Sequence, residues 1–210
     1  MTRVVVVRHG ETDWNRHGRM QGWAPVPLNE LGREQATRAG EWVTDEYAID
    51  RVFSSDLVRT RETAELLISA FDESPAAKLP VEYEHYWRER GLGVYQGLTY
   101  TDVSERFPEF ALGDAAYEAV DAVPENGESI RDVADRVTLR FRDAADEYTD
   151  ETLLVVSHGG PIRLLLGYAK EMTISEALKN HPQDNCAVNE FVVEGDEVQV
   201  ERENCTEWNE

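Results

Sequence analysis

A chain of 210 residues is long enough to bury a full α/β core with an insertion, and it contains no run of about 18 apolar residues that would propose a membrane span. Forty-two acidic residues stand against 21 basic ones, a formal net charge of −21, which argues against nucleic acid and anionic membrane as partners. Only Lys78, Lys170 and Lys179 are lysine; an acidic, lysine-poor surface suits high salt, where screening weakens like-charge repulsion.

Met1-Thr2 leads straight into Val4-Val5-Val6-Val7, so no signal peptide is expected. Four consecutive valines bounded by Arg3 and Gly10 predict a strand buried on both faces, as in a parallel sheet. Ligands of open α/β sheets bind beyond the carboxyl ends of the strands, so Arg8 and His9 emerge where chemistry is expected. An arginine offers a fork of donors suited to phosphate oxygens, and a histidine can serve as nucleophile, base or metal ligand. Alone, the pair reads as two solvated polar residues; the rest of the chain reverses that. Residues 10–27 carry Gly10, Gly18, Gly22, Pro25 and Pro27 with no helical period, which predicts a loop over the strand end. Of its polar residues, Asn15 is the candidate ligand contact.

Asn29 is the expected cap of a helix of about 18 residues with the apolar stripe Leu31, Ala39, Trp42 and Val43. A short strand, Arg51-Val52-Phe53, comes next. Ser54-Ser55-Asp56 then predicts a helix start, followed by Leu57, Ala64, Leu67, Ile68 and Phe71 at helical spacing. Arg59 falls off this stripe and in the first turn, where a cation opposes the helix dipole unless an anion lies nearby. Arg61, at the stripe edge, reads as a snorkelling surface residue.

Residues 72–80 form a Pro/Ala-rich connection, and Val81-Glu82-Tyr83 a short strand. From Gly91 to Asn126 the chain is rich in glycine, proline and aromatics, with at most short helices such as Thr101–Phe107. That composition predicts one domain over residues 1–210, with an insertion or cap at about 86–126. Ser129 opens the clearest helix, with Ile130, Val133, Ala134, Val137, Phe141, Ala145 and Tyr148 in period. Leu153-Leu154-Val155-Val156 repeats the opening arrangement, and Ser157-His158-Gly159-Gly160-Pro161 follows it. Pro161 suits the first helical position, which puts His158 between a strand end and a helix amino terminus, a ready anion site. Val188–Val193 and Glu197–Glu201 around Gly195-Asp196 predict a hairpin, and 204–210 a loose tail. Cys186 and Cys205 are too few for a disulfide framework and suit a reducing cytoplasm.

Two histidines at the ends of two buried strands converge with the arginines only if those strands are neighbours. Converged, they make a phosphoryl-transfer set, with a nucleophile in line with the leaving oxygen and fixed positive charge on the other oxygens. At this point the chain resembles the histidine phosphatase superfamily, also called the phosphoglycerate mutase-like family. Arg8-His9-Gly10-Glu11-Thr12 with Trp14-Asn15 matches its signature, and Ser54-Ser55-Asp56-Leu57 with Arg59 and Thr63-Ala64 resembles its second motif. Arg88-Glu89 ahead of Gly93 and Gly97 resembles the segment carrying the acid. Asn126-Gly127-Glu128-Ser129 and Val156-Ser157-His158-Gly159 resemble its last two elements.

The resemblance implies an α/β fold, a three-layer αβα sandwich on a six-stranded, mostly parallel sheet. It implies His9 as phosphate acceptor, Arg8, Arg59 and His158 as phosphate ligands, and Glu89 as proton donor, with Glu11 and Glu128 as the next carboxylates to consider. Asn15 matches a position that touches the phosphoryl group, and Gly159 follows His158 in the phosphate site. Gln96 and Thr60 depart from the family pattern, which usually has glutamate and alanine there. The implied activity is a cytoplasmic, metal-independent phosphomonoesterase working through a phosphohistidine. Its implied partner is a small phosphate ester, with no cofactor and no metal; the sequence leaves oligomeric state open. A 2,3-bisphosphoglycerate-dependent phosphoglycerate mutase is the alternative, though such mutases resemble longer chains. A catalytically inactive phosphate-binding or scaffolding relative is an alternative of another class. His17, His85 and His181 stand alone and read as structural or exposed. The acidic, lysine-poor balance resembles proteins of halophilic archaea.

Overall fold

A computed structural model describes residues 1–71, 79–107 and 119–209. Six strands form one sheet: β1 (Thr2–Arg8), β2 (Arg51–Ser55), β3 (Val81–Glu84), β4 (Thr152–Ser157), β5 (Val188–Glu194) and β6 (Glu197–Cys205). Their order is β3-β2-β4-β1-β5-β6. β1 pairs with β4 in parallel, β4 with β2 and β2 with β3 likewise, while β5 runs antiparallel to both β1 and β6. The two valine- and leucine-rich runs are therefore adjacent central strands, buried on both faces as their sequences demand.

Alternation along these strands feeds two cores. Val5, Val7, Leu154 and Val156 pack with Ala36, Ala39 and Val43 of α2 (Glu30–Glu46) and with Ala64 and Leu67 of α3 (Val58–Ser69). Val4, Val6, Leu153 and Val155 pack on the other face. There they meet Val133, Val137 and Phe141 of α5 (Ile130–Glu147) and Ile162, Leu165 and Leu166 of α6 (Gly159–Ala169). The result is the expected αβα sandwich on a mostly parallel sheet. Among the described residues no helix is long and apolar enough to cross a membrane.

Caps place the helices. Asn29 Oδ1 accepts from Gly32 N–H at 2.8 Å, and Ser129 and Asp132 form a reciprocal capping box on α5. α4 (Tyr100–Arg106) and α7 (Ile174–Asn180) are short.

The structure corrects the sequence reading in several places. The 10–27 loop contains a one-turn helix, α1 (Asp13–Arg16), closed by a Thr12–Asn15 capping box too short to show a period. Leu31 is 47 % exposed, and Gly32, Ala36 and Gly40 take the stripe instead; the Glu11 backbone approaches Gly32, and Leu67 of α3 approaches Gly40, too closely for a side chain. Ser54 and Ser55 extend β2 rather than capping α3, which begins at Val58 after Leu57 and has no side-chain cap. Pro161 is the third residue of α6, still within the turn whose N–H groups lack helical partners. Most of the expected loose tail, residues 204–209, is ordered: β6 reaches Cys205, and Trp208 is buried with its indole N–H donating to Cys186 O at 3.0 Å. The 72–80 connection and the 91–126 insertion lie partly outside the described residues.

Candidate active site

The register of β1 and β4 pairs Arg8 with Ser157, so the residues after them leave the sheet side by side. The rings of His9 and His158 lie 5.2 Å apart. His9 is buried, and its Nδ1 lies 2.7 Å from Gly10 O. A carbonyl only accepts, so Nδ1 carries the proton and Nε2 the lone pair. Arg59 Nε faces that lone pair at 3.3 Å. Burial, then the charges of Arg59 and Arg8, hold the imidazole pKa well below the ordinary histidine value, so His9 is neutral.

His158 precedes α6 as its cap residue and is fully buried. Its Nε2 lies 2.8 Å from Ser55 Oγ, at the end of β2, and its Nδ1 has no hydrogen-bond partner. Burial, Arg59 and His9 push its pKa down as well.

Arg8 and Arg59 are anchored by backbone carbonyls. Arg8 Nη1 donates to Gln183 O, while its Nε is buried without a partner. Arg59 Nη2 donates to Gly22 O at 2.8 Å and Nη1 to Ala24 O at 3.3 Å. Arg59 lies off the apolar stripe of α3, as its position predicts, yet it is buried because the 22–24 segment lies over it. Burial lowers its pKa to about 10 and lowers that of Arg8 too; Glu89 opposes both shifts.

Glu89 follows β3 and the turn His85–Trp87. Its Oε1 accepts from Arg90 N–H at 2.9 Å and its Oε2 from Gly160 N–H at 3.2 Å, in the first turn of α6. A Cβ on residue 160 would sit 2.3 Å from Glu89 Oε1, so glycine is what admits the carboxylate. Glu11 and Glu128 are engaged elsewhere. Asn29 Nδ2 donates to Glu11 at 2.7 Å, and Arg136 grips both oxygens of Glu128 at 2.8 and 3.0 Å. Arg88 grips Asp56 at 2.5 and 2.6 Å, which lowers the Asp56 pKa.

These groups share a cleft of about 270 Å³, lined at its base by Arg8, His9, Asn15, Arg59 and Glu89. Asn15 meets it while its Oδ1 is occupied by the Thr12 hydroxyl at 2.9 Å and the Thr12 N–H. Gly159 lies against the Arg8 guanidinium. Arg19 and Arg90 also line the cleft, as do the apolar side chains of Val133, Leu164 and Leu178. His17 and His85 are exposed; His181 is buried against Glu203, away from the cleft. Among the described residues no group of three His, Cys, Asp or Glu side chains is placed to hold a metal. Sequence reasoning missed Ser55, Gly160 and Gln183, whose roles lie in contacts with residues far away in the chain.

A neutral buried imidazole beside Arg8 and Arg59, at the carboxyl edge of a mostly parallel sheet, defines an α/β protein whose cleft is chemically suited to an oxyanion. The chain belongs to the histidine phosphatase superfamily (branch 1), whose family model matches residues 4–206. It is 39 % identical over 167 residues to phosphoglycerate mutase-like protein 4 of Arabidopsis thaliana, covering 80 % of this chain and 70 % of that protein. It is 33 % identical over 165 residues to a metal-independent phosphoserine phosphatase of the same plant, covering 79 % and 67 %. Among solved structures, Bacillus stearothermophilus YhfR superposes with a TM-score of 0.87 at 27 % identity, over 100 % of both chains.

Proposed function

We propose that the protein is a metal-independent phosphomonoesterase that acts on a small phosphate ester through a phosphohistidine at His9. The observation that carries this reading is the neutral His9 Nε2, its lone pair turned toward Arg59. Such a nitrogen is a nucleophile at neutral pH, and charged donors around it stabilise a phosphoryl group in transit.

In the first step Nε2 attacks phosphorus and the ester P–O bond breaks. Arg8, Arg59 and His158 hold the non-bridging oxygens, Asn15 and the Gly159 end of α6 complete the phosphate site, and Glu89 gives its proton to the departing alkoxide. In the second step Glu89 takes a proton from water, whose oxygen attacks phosphorus; the N–P bond breaks and His9 returns to its neutral form. Microscopic reversibility assigns both proton transfers to one carboxylate. We read the chain as a single domain with a cap at about 86–126, and among the described residues of that segment Glu89, Arg90, Leu92 and Tyr100 line the cleft. The family also contains mutases, so product analysis distinguishes return of the phosphoryl group to water from return to a second hydroxyl. The free thiols of Cys186 and Cys205 fit a reducing cytoplasm.

The test is rapid acid-free quenching during turnover of p-nitrophenyl phosphate, followed by mass spectrometry. The expected result is an acid-labile, base-stable phosphoryl group on residue 9. His9→Ala should lose both that adduct and about 10³-fold or more in kcat. Undiminished turnover by this variant overturns the proposal, as does an adduct elsewhere.

A further inference from the structure

Three consecutive residues of the loop over the strand end touch both halves of the chemistry. Gly22 O and Ala24 O hold the Arg59 guanidinium, while the Trp23 indole N–H between them donates to Glu89 O at 2.7 Å. The backbone and the ring of Trp23 are both held. Gln96 Oε1 accepts from Trp23 N–H at 2.6 Å, so this departure from the usual glutamate keeps an acceptor there. Gly91 lies under the ring, and a Cβ there would approach Trp23 Cε2 to 3.2 Å. The Arg88 guanidinium stands over the ring at 5.0 Å, clamped in turn by Asp56. Yet Trp23 is 39 % exposed and takes no part in lining the cleft. A half-exposed tryptophan held by Gln96, Gly91 and Arg88 and aimed at one carbonyl contributes little core, so stability does not account for its fixing.

We propose that Trp23 is the positioning residue for Glu89, and that the Gly22–Ala24 segment sets the acid and the phosphoryl-binding arginine together. The inference rests on the reading of Glu89 as proton donor. The Glu89 carboxylate has one long-range tether, Gly160 N–H at 3.2 Å; its other, Arg90 N–H, moves with it. Where the carboxylate stands therefore depends on how the Glu89 main chain is held. Among the described residues two side chains do this, Trp23 Nε1 and Arg136 Nη2, the latter at 3.1 Å and shared with Glu128. Loss of the shorter one frees the carboxyl to drift from the leaving oxygen, and a displacement of about 1 Å costs up to about 10²-fold in rate. The cost should fall on proton donation, since Trp23 touches no reacting atom.

Trp23→Phe keeps an aromatic ring but removes the donor together with part of the bicycle that lies over Gly91. It is compared with Glu89→Gln on propyl phosphate, whose alkoxide needs a proton, and on p-nitrophenyl phosphate, whose leaving group needs little. We expect Trp23→Phe to lower kcat on propyl phosphate about 10- to 100-fold, with a several-fold smaller loss on p-nitrophenyl phosphate and KM moving less than kcat. Replacing Trp23 by benzothienylalanine, the same shape without the N–H, should reproduce that split. Equal losses on both substrates show a merely structural role and overturn the proposal. Absence of loss in Trp23→Phe, with the leaving-group split intact in Glu89→Gln, overturns the role of Trp23 alone. Absence of the split in Glu89→Gln overturns the assignment of the acid, and the role of Trp23 falls with it.

Discussion

Two sets of arginines divide this protein. Those of the scaffold are held by carboxylates: Arg140 grips Glu84 with contacts from 2.8 Å, Arg88 grips Asp56 and Arg136 grips Glu128. Those of the cleft are held by backbone carbonyls: Arg8 by Gln183, Arg19 by Gly97, Arg59 by Gly22 and Ala24, and Arg90 by Glu128 and Ala122. A carboxylate fixes an arginine and cancels its charge, whereas a carbonyl fixes it and leaves the charge for a ligand. In a chain with two acids for every base, four arginines held this way in one cleft suit an anionic substrate, and burial of Arg8, Arg59 and Arg90 is costly to the fold.

The comparison breaks most sharply at Arg59. Arg59→Met removes a buried cation that folding disfavours, as its lowered pKa shows. Activity on p-nitrophenyl phosphate should fall about 10²- to 10³-fold, the usual loss for one charged donor at a transition state. The melting temperature should stay close to that of the parent. A large fall in melting temperature would place Arg59 with the scaffold set.

Arg140→Met is the opposite case. It strands Glu84, only 20 % exposed, although Trp87 Nε1 still donates to that carboxylate. The expected loss is roughly 2–3 kcal/mol in urea unfolding, below the ~3–5 kcal/mol for one partner of a fully buried pair. Activity well below the melting transition should be kept. A loss under about 0.5 kcal/mol would reduce this pair to an ordinary surface contact.

Acid should act through the cleft. His9 and His158 are held neutral by burial and by the arginines, with pKa values well below 6.5 in the folded state. Below pH 6.5 the unfolded chain binds protons that the folded chain refuses, so stability present above that pH is lost as pH falls. The slope is about 1.4 kcal/mol per pH unit for each histidine. Unfolding measured from pH 7 to pH 5 in the parent and in His9→Ala should show a shallower slope in the variant. Parallel curves would mean that His9 titrates normally.

The smallest effect, and the broadest, concerns the surface. Raising KCl from low to molar concentration should raise the melting temperature, because it screens the −21 net charge. It should also raise KM for p-nitrophenyl phosphate by weakening the unpaired cleft arginines. A melting temperature that is flat or falls with salt would reject the high-salt reading of the composition.

Much of this arrangement is legible in the sequence, and the legible part has one character. Val4–Val7 and Leu153–Val156 are apolar runs that fit only strands covered on both faces. The residues after each run had to surface at a sheet edge. Asn29 and Ser129 announce their helices because a cap is a contact with a backbone three residues away. What was misread lies at longer range. Ser55 resembles a cap residue in sequence, yet it meets His158 across 103 positions. Trp208 belongs to a segment without pattern, and its burial depends on Cys186 and on α2, whose Arg38 stands over its ring.

By itself the sequence determined the central strands, the long helices and which family's motifs the chain carries, because periodicity, caps and motifs are local. Only the tertiary structure decided that β1 and β4 are neighbours, which turns two separate histidines into a pair 5.2 Å apart. It also decided which of 18 arginines keep an uncancelled charge. An arginine's partner, carboxylate or carbonyl, comes from whichever distant segment the fold lays beside it, and no spacing along the chain records that choice.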